Sequence, residues 1–127
     1  CFDKMLGTPP TQNVLVAAIF IAIFLKYKHI KILGADHSWH EDIFIDKNNM
    51  LCLKDKHFYD TDSHKITGKP WKKGNGQNFR MSDLLPTLGR MFKGYDELQK
   101  YAIHKNVRVI NQSSKSFIDA FERRPIR

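Results

Sequence analysis

The sequence predicts an α/β fold of the three-layer, Rossmann-like kind, in which helices cover both faces of a parallel sheet. Two helix-to-strand units predict it: an apolar run over Val14–Leu25 leads into a strand-type run at Ile30–Leu33, and a second helical pattern leads into Val107–Ile110. Each strand-type run holds three apolar residues in four, which is typical of strands that helices cover on both faces. Polar residues follow both runs, so both strands are expected to end at polar loops.

The first helix is apolar on every side. Thr11, just before it, has a hydroxyl that can accept a hydrogen bond from a backbone N–H of the first turn. Such a helix is buried in a core or in a membrane, and a span needs about 20 apolar residues, whereas this run stops at Lys26 after about a dozen. No basic segment or small-residue cleavage site flanks it, unlike in a signal peptide. We therefore expect a mostly buried helix.

The middle of the chain reads as a hairpin and a long loop. Phe44–Ile45 and Met50–Leu53 flank the turn-forming tetrad Asp46–Asn49, which predicts two short antiparallel strands. From about 61 to 80 the sequence is rich in glycine, lysine and polar residues, which predicts a long polar loop. Its lysines Lys69, Lys72 and Lys73, around Pro70-Trp71, could form a basic flap over an anion, or could simply be solvated.

The second helix is predicted from helical spacing of apolar residues. Ser82 or Asp83 can cap its start, and the pattern continues towards His104. Pro86 falls within the first turn or so, where its missing N–H costs little. This helix leads into the second strand-type run.

Length and cysteine content indicate the number of domains and the cellular location of the chain. Its 127 residues suit one domain with a single core, and its two cysteines have no CxxC spacing. Neither a disulfide framework nor a zinc site is indicated, so a cytoplasmic location is expected. Because the chain begins at Cys1 rather than at a methionine, we expect it to be the C-terminal portion of a larger protein.

A formal net charge of +8, from 21 basic and 13 acidic residues, favours anionic partners. Nucleotides, phosphorylated sugars and an acidic membrane face all fit, and charge alone does not choose among them. The sequence has no RNA-binding aromatic strand motif, helix-turn-helix signature or zinc finger, so nucleic acid is not an expected partner.

Polar residues gather where the two predicted strands end. Because parallel strands meet at one edge of the sheet with their carboxyl ends, the loops Asp36–His40 and Asn111–Ser114 should lie there together, beside the start of the first helix. Asp36 can bind a sugar hydroxyl or orient a histidine, and it can equally cap the following turn. His37 and His40 can act as a general base near neutral pH, or pack as ordinary loop histidines.

Substrate-binding roles are predicted for further polar residues. Free N–H groups and the helix dipole at the start of the first helix favour phosphate, or need no more than an ordinary cap. The residues that could bind substrate at this edge, or serve only as caps, are Thr11, Gln12, Asn13, Gly34, Ser38, Ser113, Ser114 and Ser116. At the opening of the long loop, His57 is a second candidate base and Tyr59 a candidate phosphate ligand, with aromatic packing as the alternative. No zinc spacing is present, so no metal site is predicted.

Several stretches resemble the C-terminal part of bacterial family 42 sialyltransferases. The apolar helix, its strand and Gly34-Ala35-Asp36 are similar to that family's helix and Gly-Ile-Asp strand end. The likeness continues through Phe92–Leu98 and Val107–Ile110 to Ser116–Phe121. In the order of its elements it covers about three quarters of the chain, and such likeness speaks more to fold than to chemistry. The chain is also similar to the MptE-like proteins that occur near surface-polysaccharide genes.

The resemblance implies a glycosyltransferase of lipopolysaccharide or capsule assembly, which uses a nucleotide sugar donor and a glycan or lipid-linked acceptor at an anionic inner membrane face. It implies no cofactor. The family's histidine base precedes the last long helix, where Pro86–Arg90 holds no imidazole, so His37 or His57 should replace it. The alternatives are an MptE-like diphosphokinase, with Mg²⁺ on the carboxylates of Asp36–Asp42, and a non-catalytic binding or scaffold domain of the same fold.

Overall fold

The computed structural model of the chain describes residues 11–54, 68–70 and 72–126. The described residues form a mixed α/β structure that divides into two compact units. The first unit comprises the residues up to His37 and those from Thr87 onward, and the second runs from Ser38 to Pro86. The single domain expected from length stays a prediction. The elements in chain order are α1 (Val14–Phe24), β1 (His29–Ile32), β2 (Ile43–Ile45), β3 (Leu51–Lys54), β4 (Gly68–Pro70), α2 (Met81–His104), β5 (Arg108–Asn111) and β6 (Glu122–Arg123).

A parallel sheet of three strands forms the centre of the first unit. Its strand order is β1-β5-β6, and β1 pairs with β5 so that Ile30 lies opposite Val109 and Ile32 opposite Asn111. The predicted parallel pair is confirmed. The third strand, β6, was not predicted, and it too runs parallel to β5. Residues 112–121 connect these two strands without a helix and bury Ile118 and Phe121 against the core.

Both helices of the first unit end in the same turn. In α1, Tyr27 N donates to Ala22 O (3.2 Å), and Lys26 adopts a φ of +65°. In α2, Val107 N donates to Ala102 O (2.8 Å), and Asn106 adopts a φ of +53°. This is the Schellman motif, in which one residue of left-handed backbone reverses the chain after a helix. Each reversal leads directly into a strand of the parallel sheet.

The first helix buries one face only. Val16, Ile19, Phe20 and Ile23 lie in the core with residues of α2 and the parallel sheet, whereas Val14 is 84% exposed. Ile21 and Leu25 are exposed as well. The expectation of a mostly buried helix is therefore correct for one face, because the sheet and α2 pack against that face alone in the described structure. No helix within the described ranges is long and apolar enough to cross a membrane.

The helix caps differ from those predicted. Asn13, not Thr11, caps α1, because its side-chain oxygen accepts a hydrogen bond from Val16 N at 3.0 Å. The second helix begins at Met81, and Asp83 Oδ2 accepts a hydrogen bond from Arg80 N (3.1 Å), so this carboxylate satisfies an N–H just before the helix. Pro86 is the sixth residue of α2 and thus lies in its second turn.

The second unit contains an antiparallel sheet. The predicted hairpin is confirmed by the β2–β3 pair, and Asp46 closes its turn by accepting hydrogen bonds from Asn48 N and Met50 N. The predicted loop at 61–80 is wrong in its later part, where β4 pairs with β3 and a bridge joins Lys72 to Asn78. Period-2 alternation is too short there to indicate a strand; pairing with β3 orders it. Residues 55–67, which hold His57, Tyr59 and the first part of the predicted loop, lie outside the described residues.

Candidate active site at the carboxyl ends of the parallel strands

The loops that follow β1 and β5 are bound to each other by hydrogen bonds. Ser113 Oγ accepts from Ala35 N at 3.0 Å, and Ser116 Oγ donates to Ala35 O at 2.6 Å. Phe117 N donates to Asp36 O at 2.8 Å. The predicted meeting of Asp36 and Ser113 at one edge of the sheet is therefore confirmed. The hydroxyls of Ser113 and Ser116 also bond to main chain, so both residues hold the loops together.

Asn111, the last residue of β5, lies beneath these loops and is fully buried. Its Oδ1 accepts from Ser113 N (3.1 Å), and its Nδ2 donates to Ser116 Oγ (2.9 Å) and to Ile118 O (3.1 Å). An amide that is satisfied on both sides costs little to bury and fixes the groups around it. Arg123 of β6 also holds this loop, because its Nη1 donates a hydrogen bond to Ser116 O at 2.9 Å.

A second chain of hydrogen bonds links the end of β1 to the start of α1. His37 Nε2 lies 2.5 Å from the Tyr95 hydroxyl, and that hydroxyl donates to Asn13 Oδ1 at 3.2 Å. His37 leaves only 7% of its surface exposed and packs edge-on against the rings of Tyr95 and Phe92. Two hydrogen bonds thus join three residues that are far apart in sequence.

This network determines which ring nitrogen of His37 carries the proton. Val16 N donates to Asn13 Oδ1, so the oxygen of that amide is fixed, and it can only accept from Tyr95. The phenol has a single O–H group, which donates its hydrogen bond to Asn13. The Tyr95 oxygen must therefore accept a hydrogen bond from His37 Nε2–H. The other ring nitrogen, Nδ1, then has the lone pair.

Both titratable groups of the network are uncharged at neutral pH. Burial lowers the pKa of His37, and the nearby Asp36 carboxylate offsets part of that effect. Burial raises the pKa of Tyr95 to about 12, against a smaller lowering by its bond to Asn13. A neutral imidazole with a lone pair on Nδ1 can accept a proton, which is the requirement for a general base.

The backbone at this edge is shaped for the network. Gly34 has a φ of +65°, a conformation that glycine adopts without strain, and the chain leaves β1 there. His37 has a φ of +55°, which is costly for most residues with a side chain. Its contacts with Tyr95 and Phe92 hold it there. Strain of this kind occurs often at functional sites.

The remaining predicted residues are more exposed. In the first unit, Thr11, Gln12, Gly34, Asp36 and Ser114 are open to solvent. Asn13 is half-buried, and its Nδ2 is buried with no hydrogen-bond partner among the described residues. Ser38 and His40 belong to the second unit, where Glu41 N donates to Ser38 O at the start of a short 3-10 turn. The structure therefore brings together Asn13, His37, Asp36, Ser113 and Ser116 around one edge.

Two residues of these networks, Tyr95 and Arg123, were not predicted to take part in polar contacts. Tyr95 fits the apolar face of α2, and Arg123 lies in a charged tail. Asn111 was predicted at this edge in the loop after the strand, and it is the last residue of β5. Helical spacing gives Tyr95 a core position but does not reveal the partner of its hydroxyl. The flap lysine Lys73 pairs instead with Asp83 at 2.8 Å, and both residues lie in the second unit.

Within the described ranges, no group of three or more His, Cys, Asp or Glu side chains is placed to hold a metal ion. Comparisons with profiles of known protein families, with curated proteins and with solved structures find no match for this chain.

Proposed function

We propose that the chain is a glycosyltransferase-like domain of lipopolysaccharide or capsule biosynthesis, which transfers a sugar from a nucleotide-activated donor to a glycan or lipid-linked hydroxyl. The observation that supports it most is the hydrogen-bonded chain from Asn13 through Tyr95 to His37. These hydrogen bonds join the N-terminus of α1, a favourable position for phosphate, to a candidate base in the loop after β1.

In this proposal His37 Nδ1 accepts the proton of the acceptor hydroxyl as the acceptor oxygen forms its bond to the anomeric carbon of the donor. The bond from that carbon to the nucleotide phosphate breaks, and the phosphate leaves with its electron pair. Tyr95 holds the ring through Nε2–H and remains hydrogen-bonded as the imidazole becomes charged. Asp36, next in the chain, favours that charged form.

The phosphate would lie at the start of α1. The first N–H groups of a helix have no acceptor within the helix, and the positive end of the helix dipole favours an anion. Asn13 Nδ2 adds a donor that the described residues leave unsatisfied. Thr11 and Gln12, both exposed beside it, would contact the rest of the donor.

The proposal also places the parallel sheet of the first unit in a three-layer Rossmann-like arrangement, at the cytoplasmic face of an anionic inner membrane. The parallel β1–β5 pair and the repeated helix-to-strand connection support it. The net charge of +8 supports binding to donor phosphates and to acidic lipid.

Thermal shift of the full chain with CMP-, UDP- and GDP-sugars tests donor binding, because a ligand at about 100 times its Kd adds about 2.7 kcal/mol to the folded state. A rise in Tm with one nucleotide sugar supports the proposal. A rise with ATP and Mg²⁺ alone would favour the MptE-like diphosphokinase instead. Should no nucleotide shift Tm, the binding or scaffold domain replaces the transferase.

Where a donor binds, turnover by His37→Ala tests the base. We expect a loss of about 100-fold or more with donor binding unchanged, the usual scale for general-base help. His29→Ala, an exposed histidine at the opposite end of β1, is the matched control and should keep its activity. Activity that survives His37→Ala but not His57→Ala would assign the base to His57.

A further inference from the structure

The amino ends of β1 and β5 border a hollow of about 430 Å³ at the far end of the sheet from the candidate site. Both Schellman turns lie here, because the lining comes from the end of α1, the end of α2 and the residue just before each strand. The lining residues are Ile23, Phe24, Lys26, Lys28, Tyr101, Lys105 and Val107. All of them belong to the first unit.

The hollow has an apolar floor and a cationic rim. Ile23, Tyr101 and Val107 are buried and form the floor, and Lys105 Nζ lies 5.8 Å from the centre of the Tyr101 ring. Lys26 and Lys28 are exposed on the rim. None of the seven lining residues has a carboxylate.

Charge at the rim is strongly positive even after the helix ends are counted. Two helix C-termini contribute about −0.5 charge each, and their last carbonyls are already bonded to backbone N–H groups in the Schellman turns. The three ammonium groups of the lining residues and the two helix ends together contribute a charge of about +2. The hollow suits an anion that also has an apolar part.

Exposed apolar side chains flank the rim lysines along the chain. Leu25 and Tyr27 are each 60% exposed and alternate with Lys26 and Lys28, and Ile103, two residues before the third rim lysine, is 64% exposed. Lysines together with exposed apolar side chains are found in segments that lie at a membrane interface, and tyrosine is enriched at that depth.

We propose that this rim, formed by Lys26, Lys28 and Lys105 with Leu25, Tyr27 and Ile103, docks the chain on an anionic lipid bilayer. The ammonium groups bind the phosphates of acidic headgroups, one headgroup enters the hollow, and the apolar side chains enter the interfacial layer. Charge complementarity selects the occupant, because each lysine near an acidic leaflet strengthens binding about fivefold. This inference rests on the membrane location in the proposed function, for which it names the docking surface, and it does not depend on the sugar transfer.

Flotation of the full chain with vesicles tests the proposal. We expect binding to phosphatidylcholine vesicles that contain phosphatidylglycerol, weak binding to phosphatidylcholine alone, and weakening by salt. The triple variant Lys26→Gln/Lys28→Gln/Lys105→Gln should lose about 100-fold in partition coefficient. The matched triple variant Lys93→Gln/Lys100→Gln/Lys115→Gln removes the same charge from the same unit and should stay within about threefold.

A second pair of variants tests the apolar part and is independent of charge. Leu25→Asn/Ile103→Asn should weaken vesicle binding about tenfold, whereas Val14→Asn/Leu33→Asn, equally apolar and exposed, should not. Far-UV circular dichroism and urea unfolding establish that each variant is folded.

Two results would overturn the proposal. An equal loss in both lysine triples would show diffuse attraction with no docking surface. Saturable binding of inorganic phosphate that needs the three rim lysines, with no binding to either vesicle, would assign the hollow to a soluble anion. Neither result bears on donor binding, which the thermal shift measures separately.

Discussion

Single buried polar residues define the carboxyl edge of the parallel sheet. His37 and Asn111 lie in the core of the first unit, where an unsatisfied donor or acceptor costs about 1–3 kcal/mol. Both the oxygen and the nitrogen of the Asn111 amide form hydrogen bonds, and His37 Nε2–H donates a hydrogen bond to the Tyr95 hydroxyl. Because each partner has one allowed role, the hydrogen bonds fix the His37 tautomer as well as its position.

Replacing Tyr95 by Phe should destabilise the chain by about 1–3 kcal/mol, because His37 Nε2–H loses its acceptor in a buried site. Urea unfolding measures the change. Long-range ¹H–¹⁵N spectra should show the Nε2–H tautomer of His37 in the wild type and a mixture in the variant. Tyr27→Phe alters an exposed phenol and should stay within about 0.5 kcal/mol. An Nδ1–H tautomer in the wild type would contradict the assigned network.

The stability of the chain should fall between pH 7 and pH 5 because of His37. Burial lowers its pKa below the ordinary 6.5, so the unfolded chain takes up a proton more readily than the folded chain. The stabilisation is complete above pH 6.5 and is lost as the pH falls towards the lower folded pKa. Above pH 5 the lowered pKa values of Asp83 and Glu122 do not contribute.

Unfolding free energies of the wild type, His37→Gln and His29→Gln over this pH range test that expectation. The slope should disappear in His37→Gln and persist in His29→Gln. A slope that His37→Gln leaves intact would mean that another group is responsible.

At the scale of elements, the first unit repeats one connection. A helix ends in a Schellman turn, the chain reverses at one residue of left-handed backbone, and a parallel strand begins. Asparagine tolerates the left-handed conformation at Asn106, whereas the same conformation at Lys26 costs free energy. The repeat explains why β1 and β5 start together at the lysine-rimmed hollow and end together at the candidate site.

Lys26→Gly should stabilise the chain by about 0.5–1 kcal/mol, because glycine adopts a φ of +65° without strain. Lys28→Gly removes the same side chain at a position without positive φ and should destabilise it, since glycine there only adds freedom to the unfolded chain. Thermal and urea unfolding of both variants measure the difference. Equal effects of the two substitutions would rule out relief of backbone strain.

Across the whole molecule, the described parts of the two units have cores of unequal size. Among the described residues, the core of the first unit contains 14 buried residues from both helices, the parallel sheet and the final connection. Among the described residues of the second unit, Leu51, Cys52 and Leu84 are the buried hydrophobics. A small core gives an element little protection against local opening.

Native-state hydrogen exchange should therefore show different amide protection in the two units. Amides of β1 and β5 should exchange only through global unfolding, with protection equal to the full free energy of unfolding. Amides of the β2–β3 pair should exchange through local opening at lower free energy. Ile23→Ala, which opens a cavity in the larger core, should lower the protection of β1 by about 2–5 kcal/mol. Equal protection of both sheets in the wild type would contradict the division.

Local pattern predicted much of this structure. The helices, the β2–β3 hairpin, the parallel pair and the meeting of the loops after β1 and β5 all follow from periodicity, turn residues and the geometry of parallel strands. The short strands β4 and β6 could not be predicted in this way, because two or three residues have no readable period. Their order comes from pairing with β3 and β5.

Local sequence was enough to predict the two helices, the hairpin, the parallel pair β1 and β5, the basic charge and the edge at which polar residues collect, because these depend on neighbours along the chain. Three-dimensional packing was needed to show that Tyr95 binds His37 and Asn13, that Ser113 and Ser116 hold the loops together, and that three lysines line one hollow. The hydrogen bonds among these contacts join residues 58 to 82 positions apart. Core packing sets them, and no local pattern encodes the partner of a buried hydroxyl.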